Sequence, residues 1–395
     1  MQPDAAGVLL PRRPPLWVIV AISALQPIAL NVLAPASPGL ARTLQTDYPT
    51  IQLTLTLYLL AVALVQPIVG PISDRIGRRP CILAGIGLFA VGCVIGYFSP
   101  TIEVLLAARI VQAIGGGTAF ALTRAVIRDI ASKNEAASLI GYVTMAMVIA
   151  PMVSPLAGSF LDVHYGWRSI FVALGIATVA VGLAAWWLLH ETRRPGAGAP
   201  TPGVARSPAA LLGDRRFLGY VGGLAFTSVS FFAFVAGAPY FIVEVLGHDP
   251  RVYGGWFAVS AAGYMLGNFL SGRFGTALGA DRLILFGTAL SCIAMAIEGL
   301  CLVLLPWTPA SFFLPLVING IGQGMTIPGG SASALSVRPD LAGTAAGLMG
   351  AAQLGLGAAG TVLAGYVVVL WPPGLVVVMA VSVFVGGLLF LIARN

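Results

Sequence analysis

The chain has 395 residues, of which 58% are hydrophobic and only 9% are charged, and its mean hydropathy is +0.94. Ordinary soluble domains carry about 25% charged residues, so this composition excludes a typical water-soluble protein. The formal net charge of +7 does not indicate nucleic-acid binding, because the basic residues flank apolar segments instead of forming one patch. A soluble protein with a very large core is the remaining alternative, and uninterrupted apolar runs such as 375–392 argue against it.

Apolar segments bounded by charges, Gly and Pro follow one another along the whole chain. A helix that crosses a hydrocarbon layer ~30 Å thick needs about 20 mostly apolar residues, and these segments have that length. We therefore predict an all-α integral membrane protein with a tail at 1–15. The predicted membrane helices span 16–36, 50–70, 81–98, 103–127, 137–160, 169–189, 217–241, 253–275, 281–303, 310–330, 341–364 and 372–392.

The longest predicted connection, 190–216, is rich in Pro, Gly, Ala and Arg, which is typical of a flexible linker. It divides the chain into six helices at 16–189 and six at 217–392. A repeat agrees with this division, because Ser73–Gly77 and Ser271–Gly275 are similar and lie 198 residues apart. We predict two pseudo-symmetric six-helix bundles, the arrangement that a transporter needs to rock around a central site.

Basic residues predict the orientation in the membrane. With a cytoplasmic N-terminus, only Arg42, Arg168 and Arg251 of the 21 Lys and Arg residues lie outside, Arg109 lies within the membrane, and the other 17 lie inside. Cytoplasmic loops carry such an excess, so we expect both termini in the cytoplasm. No cleavable signal is expected at the N-terminus.

Cysteines and histidines do not indicate a metal, cofactor or catalytic site. The four cysteines lie in apolar segments without metal-ligand spacing, which predicts buried thiols, and the three histidines lie in predicted loops. Paired carboxylates and a nucleophile with a base are missing from the sequence, so an enzyme is not expected. Nothing resembles a nucleotide-binding P-loop, so we do not expect ATP to drive transport.

The string Gly70–Pro80 (GPISDRIGRRP) closely resembles the signature loop between helices 2 and 3 of the major facilitator superfamily. Its glycines permit a tight turn, and Asp74 can favourably face a helix N-terminus. The resemblance implies a cytoplasmic latch that holds the two halves together in one state. The alternative is a merely basic inner loop. The latch candidates are Gly70, Asp74, Arg75, Gly77, Arg78 and Arg79, with Asp129 as a partner for the arginines.

Arg109 lies inside predicted helix 4, in the string Arg109–Gly117 (RIVQAIGGG). A cation at a helix centre costs roughly 2.5–3.5 kcal/mol on insertion scales, so we expect a polar interior and a partner. The string is similar to the helix-4 motif of proton-driven exporters, which implies a role in proton coupling. The alternative is an arginine that braces neighbouring helices.

Helix 5 contains Ala150–Gly158 (APMVSPLAG), which is similar to the antiporter motif of drug exporters. The resemblance implies a kink built from Pro151, Pro155 and Gly158. Ala150 replaces the first glycine of that motif, so ordinary close packing of small residues is an alternative.

Four further strings look like the Bcr/CflA branch of the family, which includes phenicol exporters. The resemblance implies a monomeric exporter in the lipid bilayer of the bacterial inner membrane that moves neutral or amphiphilic drugs by alternating access, with protons as the counter-ion. The strings are Gln52–Tyr58 (QLTLTLY), Arg124–Asp129 (RAVIRD), Phe231–Tyr240 (FFAFVAGAPY) and Gly343–Gly347 (GTAAG).

Helix 1 departs from this branch, which has an acidic residue shortly before a Tyr-Leu-Pro sequence. The corresponding run here is Asn31–Pro35 (NVLAP), and Asn31 cannot titrate. One acid, Glu298, lies well inside a predicted helix and is a candidate for proton coupling. The alternatives are ordinary packing, or a side chain that extends to the membrane interface. A proton-independent facilitator, or an importer of a small metabolite, therefore stays open.

The other interior polar residues are mostly amides and tyrosines, which suit a small neutral or weakly polar substrate. Each is equally able to form hydrogen bonds between helices. A non-transporting sensor on the same fold is a further alternative. The substrate-cavity candidates are Gln26, Asn31, Gln52, Tyr58, Gln112, Tyr264, Asn268, Asn319, Gln323 and Gln353.

Overall fold

The computed structural model describes residues 13–130, 133–192, 209–338 and 341–394, together with 2–3 and 9–10. Gln2–Pro3 pairs antiparallel with Leu9–Leu10 as strands β1 and β2. Most of the predicted tail, and residues 193–208 of the predicted linker, lie outside the described residues.

Twelve long helices account for almost all of the described chain, and each corresponds to one predicted membrane helix. Ten spans in the described residues are apolar and long enough to cross a membrane. The predicted all-α membrane fold is confirmed. The helices are α1 Leu16–Val32, α2 Tyr48–Ile76, α3 Arg78–Phe98, α4 Ile102–Ile130, α5 Lys133–Tyr165, α6 Arg168–Leu188, α7 Arg215–Tyr240, α8 Pro250–Leu278, α9 Ala280–Leu304, α10 Pro309–Ser336, α11 Ala342–Leu370 and α12 Gly374–Arg394.

Several helices begin at capping residues that lie outside the apolar windows. Asp47 accepts a hydrogen bond from the Thr50 amide at 3.0 Å, so α2 begins two residues before its predicted start. Asp214, Asp249 and Thr308 cap α7, α8 and α10 in the same way. A capping side chain satisfies amides that have no partner in the helix, so it determines where the helix begins.

Short elements extend two of the helices. A 3₁₀ turn at Ala34–Ala36 and a short helix at Ser37–Thr43 follow α1. A π-helical segment at Phe241–Val245 continues α7. A four-residue helix at Ala209–Leu212 precedes α7.

The connection between α2 and α3 is a single residue, not the loop expected from the sequence. Gly70 lies within α2, which continues to Ile76, and Gly77 alone separates it from α3 with φ 114°. The equivalent turn after α8 lies at Gly279 with φ 79°, so Gly275 of the predicted repeat is still helical. Positive φ strains residues that have a Cβ, so a glycine is required at both turns.

The largest contacts between the halves are made by two pairs of long helices: α2 packs against α11, and α5 packs against α8. Within the first half α4 contacts α2 and α3, and α1 packs against α5. Within the second half α10 contacts α8 and α9, and α7 packs against α11 and α12. The predicted two-bundle architecture is thus present in the described residues.

The halves meet closely at one end of the molecule, which we call the Tyr48 end, and the end with the turns at Gly77 and Gly279 is the Gly77 end. One buried core joins residues of the first half to second-half residues that lie toward the Tyr48 end, such as Phe234 and Leu375. At the Gly77 end the second half has a separate core that includes Phe217 and Phe390. The described structure is therefore closed at the Tyr48 end.

Candidate functional site

Arg109 is 1% exposed in the interior of the first half. It donates hydrogen bonds to the Gln112 side-chain oxygen and, at 3.4 Å, to the Thr54 carbonyl oxygen of α2. Its guanidinium carbon lies 4.3 Å from the centroid of the Tyr58 ring. A cation–π contact that is shielded from water stabilises by about 2 kcal/mol or more, so this ring supports the buried charge.

The hydrogen bonds continue from this cluster to α3 and α1. Gln112 donates from its amide nitrogen to the Cys93 sulfur at 3.2 Å, and the Tyr58 hydroxyl donates to the Gln26 carbonyl oxygen at 3.3 Å. The structure thus brings Tyr58, Arg109 and Gln112 together, and Gln26 joins them through its backbone. The ring, the side-chain amide and the backbone carbonyl that contact the guanidinium are all neutral groups.

Asn31 and Gln52 are buried in helix contacts apart from this cluster. Asn31 is 1% exposed and donates to the Pro27 carbonyl oxygen at 2.9 Å, whereas its own oxygen has no partner among the described residues. Gln52 is 2% exposed and packs against Gly365 of α11, where an added Cβ would lie 2.9 Å from the Gln52 Cγ. The Asn31 amide nitrogen bonds within α1 and the Gln52 amide nitrogen has no partner among the described residues, so neither donates to the cluster.

The candidates of the second half lie on α8, α10 and α11. Asn268 donates to the Tyr264 carbonyl oxygen at 2.8 Å, and Gln353 accepts from Ser228 at 3.5 Å. Asn319 and Gln323 are each 6% exposed. Gln323 lines a cavity of about 10 Å³ together with Thr227, Thr288, Ser291 and Thr326. The structure does not bring the ten cavity candidates into one site, and their role with substrate stays a prediction.

Arg78 is the centre of the latch candidates. It forms ion pairs with Asp74 at 2.6 Å and with Asp129 at 3.1 Å. It also donates to the Ser73 hydroxyl. All three of these partners belong to the first half. The predicted contact between an arginine and Asp129 is therefore present, whereas none of these three contacts joins the two halves.

Glu191, which no motif in the sequence indicated, caps α3. Its two carboxylate oxygens accept hydrogen bonds from the backbone amides of Arg78 at 2.9 Å and Arg79 at 3.1 Å. A Cβ on Gly77 would lie 2.5 Å from a Glu191 oxygen, so a larger residue at the turn would displace the capping carboxylate. The capping role that Asp74 could have had at a helix N-terminus thus belongs to Glu191.

Arg79 holds the end of α6 against this cap. It donates to the carbonyl oxygens of Leu189 and Trp186, each at 2.7 Å, and its guanidinium lies 5.3 Å from the Trp186 ring. In the sequence, the Glu191 cap shows only as an acid directly after an apolar helix, which does not reveal its partners. The composition of 190–216 nevertheless predicts a flexible linker at that position.

Gly158 lies at the closest approach of α5 to α1, where a Cβ would overlap the Val32 carbonyl oxygen. Pro151 and Pro155 lie inside α5, which runs without interruption from Lys133 to Tyr165. The small residue of this motif has a packing role in the structure, and the kink stays a prediction.

Comparison with known proteins agrees with this architecture. The sequence model described as "Major Facilitator Superfamily" matches residues 19–354. The chain belongs to the major facilitator superfamily. Its twelve helices therefore form a multi-pass transporter of this family.

The chain is similar to a bicyclomycin resistance protein homolog of Haemophilus influenzae, with 26% identity over 85% of each protein. It is also similar to a chloramphenicol resistance protein of Pseudomonas aeruginosa, with 39% identity over 42% of this chain and 40% of that protein. These relatives confirm the expected resemblance to Bcr/CflA-type transporters. They are bacterial proteins of the same superfamily, and this agrees with a location in the bacterial inner membrane.

A solved structure shares the fold at 18% identity. It is a bacterial homolog of the human lysosomal transporter Spinster in an inward-facing and occupied conformation, with a TM-score of 0.73 and coverage of 96% of both chains. At this identity the likeness concerns the fold alone.

Proposed function

We propose that this transporter exports small drug-like molecules by alternating access, in exchange for protons. The observation that carries the proposal is the asymmetric contact between the halves, which share one core at the Tyr48 end and have separate cores at the Gly77 end. Rocking the halves about the α2–α11 and α5–α8 contacts would close one end as it opens the other. The names of the bicyclomycin and chloramphenicol resistance relatives support drugs as the substrate class.

The basic residues support an orientation with the Gly77 end in the cytoplasm. Arg75, Arg78, Arg79, Arg273 and Arg282 all lie near that end, and cytoplasmic loops carry the excess of positive charge. In this orientation the described conformation faces inward. An exporter loads its substrate from the cytoplasm in such a state.

The chemistry of the interior supports a neutral or amphiphilic substrate. The buried polar groups of the first half are mainly amides, hydroxyls and the Tyr58 ring, and Arg109 adds a positive charge. A buried cation disfavours binding of an organic cation nearby. Phenicols and similar neutral molecules with amide and hydroxyl groups match these partners. We expect the transporter to act as a monomer in the lipid bilayer.

Asn31 favours a second candidate, a proton-independent facilitator or importer of a small metabolite. Its amide is bonded to Pro27 and cannot exchange a proton. Unless another acid replaces the helix-1 acid of the branch, transport would run without proton exchange.

Export of chloramphenicol from drug-sensitive cells tests the two candidates. Cells that express the chain should accumulate less of the drug, and an uncoupler of the proton gradient should abolish the difference. Export that is unaffected by the uncoupler would exclude antiport. Unchanged drug accumulation, together with uptake in a panel of metabolites, would favour the second candidate.

A further inference from the structure

Glu298 is a buried acid that has no part in the cluster around Arg109. It is 0% exposed, and neither carboxyl oxygen has a hydrogen-bond partner among the described residues. It therefore does not reach the membrane interface, as the snorkelling alternative would require. Glu298 belongs to the buried face of α9, which also contains Ile284, Gly287, Ser291 and Met295.

The helices around α9 offer no charge to balance an ionised carboxylate. The helices α10 and α12 pack closely on α9, and α8 also contacts it. Helix α10 has no titratable residue, and α12 has only Arg394 at the Gly77 end. The titratable residues of α8 and of α9 itself, apart from Glu298, are Arg251, Tyr253, Tyr264, Arg273, Asp281, Arg282, Cys292 and Cys301.

None of these residues pairs with Glu298 in the described structure. Arg251 pairs with Asp249 at 3.0 Å, and the Tyr253 hydroxyl, which is also buried, has no partner. Asp281 and Arg282 lie at the start of α9, more than four turns from Glu298. Burial of an unpaired carboxylate has an effective penalty of several kcal/mol, so the neutral, protonated carboxyl is the form that this conformation can hold.

A hydroxyl-lined cavity lies on the same side of α9, toward the Gly77 end. Thr288 and Ser291 of α9 line it with Thr227, Gln323 and Thr326, and its volume of about 10 Å³ is close to the space that one water molecule needs. The Thr288 hydroxyl has no partner, and Ser291 donates to the Asn319 carbonyl oxygen at 3.4 Å. At a rise of 1.5 Å per residue, Ser291 lies about 10 Å from Glu298 along the helix.

We propose that Glu298 is the proton-binding residue of this transporter, and that the hydroxyl-lined cavity lies on the route of the proton to the Gly77 end. This inference rests on the proposed proton antiport. Glu298 would take over the role of the helix-1 acid, whose place is held here by Asn31, which cannot titrate. The described conformation holds the neutral carboxyl before release. Release requires water to enter from the cavity and reach Glu298: the O–H bond breaks, that water accepts the proton, and the hydrated carboxylate remains until the Tyr48 end opens and a proton from outside neutralises it.

Infrared spectroscopy of the purified protein in detergent at pH 7.5 tests the protonation directly. The wild type should show the C=O stretch of a protonated, non-hydrogen-bonded carboxyl, and Glu298→Gln should lack it. The exposed Glu103 supplies the matched control, because Glu103→Gln should keep the band. A band that persists in Glu298→Gln, or a wild type without one, overturns the proposal. If Glu298→Gln does not fold, Glu298→Asp must move the band.

Transport in proteoliposomes tests the coupling, with chloramphenicol as the probe. In Glu298→Gln, the rate of uptake driven by a proton gradient should be at least tenfold lower than in the wild type. The exchange of labelled for unlabelled chloramphenicol without a gradient should continue at the wild-type rate. Full gradient-driven uptake by this variant overturns the proposal. If the wild type does not transport chloramphenicol at all, the proposed substrate fails, and the infrared result still decides whether Glu298 carries the proton.

Discussion

Arg109 shows how a single charge is accommodated inside the membrane without an acid beside it. The Tyr58 ring covers one face of the guanidinium, and the Gln112 side chain and Thr54 carbonyl accept its hydrogen bonds. A planar, delocalised cation can stack and donate in several directions at once, and an ammonium group cannot. The site is therefore specific for arginine.

We expect Arg109→Ala to reduce chloramphenicol export at least tenfold, and Arg109→Lys to be intermediate at best. The alanine variant removes the buried charge, and the lysine variant keeps it but loses the planar contact with Tyr58. Export rates in cells, with protein levels checked by immunoblot, provide the measurement. The exposed Arg124, which lies 5.3 Å from the Phe120 ring, serves as the matched control. Normal export by Arg109→Ala would show that this cluster is only structural.

Gly158 is a second position where one residue determines a larger contact. A methyl group there would overlap the Val32 carbonyl oxygen, so α1 and α5 would have to move apart. We expect Gly158→Ala to destabilise the protein by about 1–3 kcal/mol, as overpacking of a tight contact does. A fall in the melting temperature in detergent would show this. Gly299→Ala should have no such effect, because a Cβ at Gly299 has nothing within 4 Å.

At the scale of elements, the Glu191 cap links three helices at one point. The carboxylate satisfies two amides at the start of α3, while Asp129 at the end of α4 accepts from Thr192, the next residue, at 3.4 Å. Anions near a helix N-terminus also interact favourably with its dipole. The turn at Gly77, the end of α4 and the end of α6 are thus held together.

Glu191→Ala should destabilise the first half by about 1 kcal/mol, the typical effect of removing a helix cap. Glu191→Gln, which keeps one acceptor oxygen, should lose less. Thermal unfolding in detergent, followed by the fluorescence of a thiol-reactive dye as the native cysteines become exposed, provides the measurement. Equal stability of the alanine variant and the wild type would contradict the capping role.

The twelve helices could be predicted from the sequence because each depends on local hydropathy, which a membrane imposes directly. Their ends could not, because caps such as Asp47 lie in polar sequence and α2 continues in helical form through Gly70 to Ile76. The Glu191 cap joins residues 113 positions apart, and no local pattern reveals such a contact. Burial of Glu298 likewise follows from the packing of α9 and not from its own sequence.

For the whole molecule, the contacts across the Tyr48 end determine which conformation is stable. Tyr48 donates to the Ala236 carbonyl oxygen at 2.5 Å, and its ring lies 4.7 Å from that of Tyr240. Thr56 and Thr361 form a buried hydrogen bond of 2.6 Å between α2 and α11. Arg42 and Glu244 lie 3.7 Å apart, with the Arg42 side chain largely exposed and that of Glu244 partly exposed, and such surface pairs contribute little.

Tyr48→Phe should shift the molecule toward opening at the Tyr48 end. It removes one hydrogen bond worth about 0.5–1.5 kcal/mol, so the ratio of closed to open molecules should fall by about two- to tenfold. A single cysteine at Thr361, in a protein whose native cysteines are replaced by serine, should then react faster with an impermeant maleimide. A cysteine at the buried Ser382 of α12 provides the control. An unchanged rate at position 361 would mean that this hydrogen bond does not stabilise closure.

The two largest contacts between the halves have an evolutionary consequence. Helices α8 and α11 hold the same places in the second half as α2 and α5 in the first, so α2–α11 and α5–α8 are one kind of contact made twice. This is the arrangement of a symmetric dimer, in which the same surface of each subunit meets its partner. A gene for a single half would already encode both surfaces, and duplication and fusion through a linker would yield the present chain without a new interface.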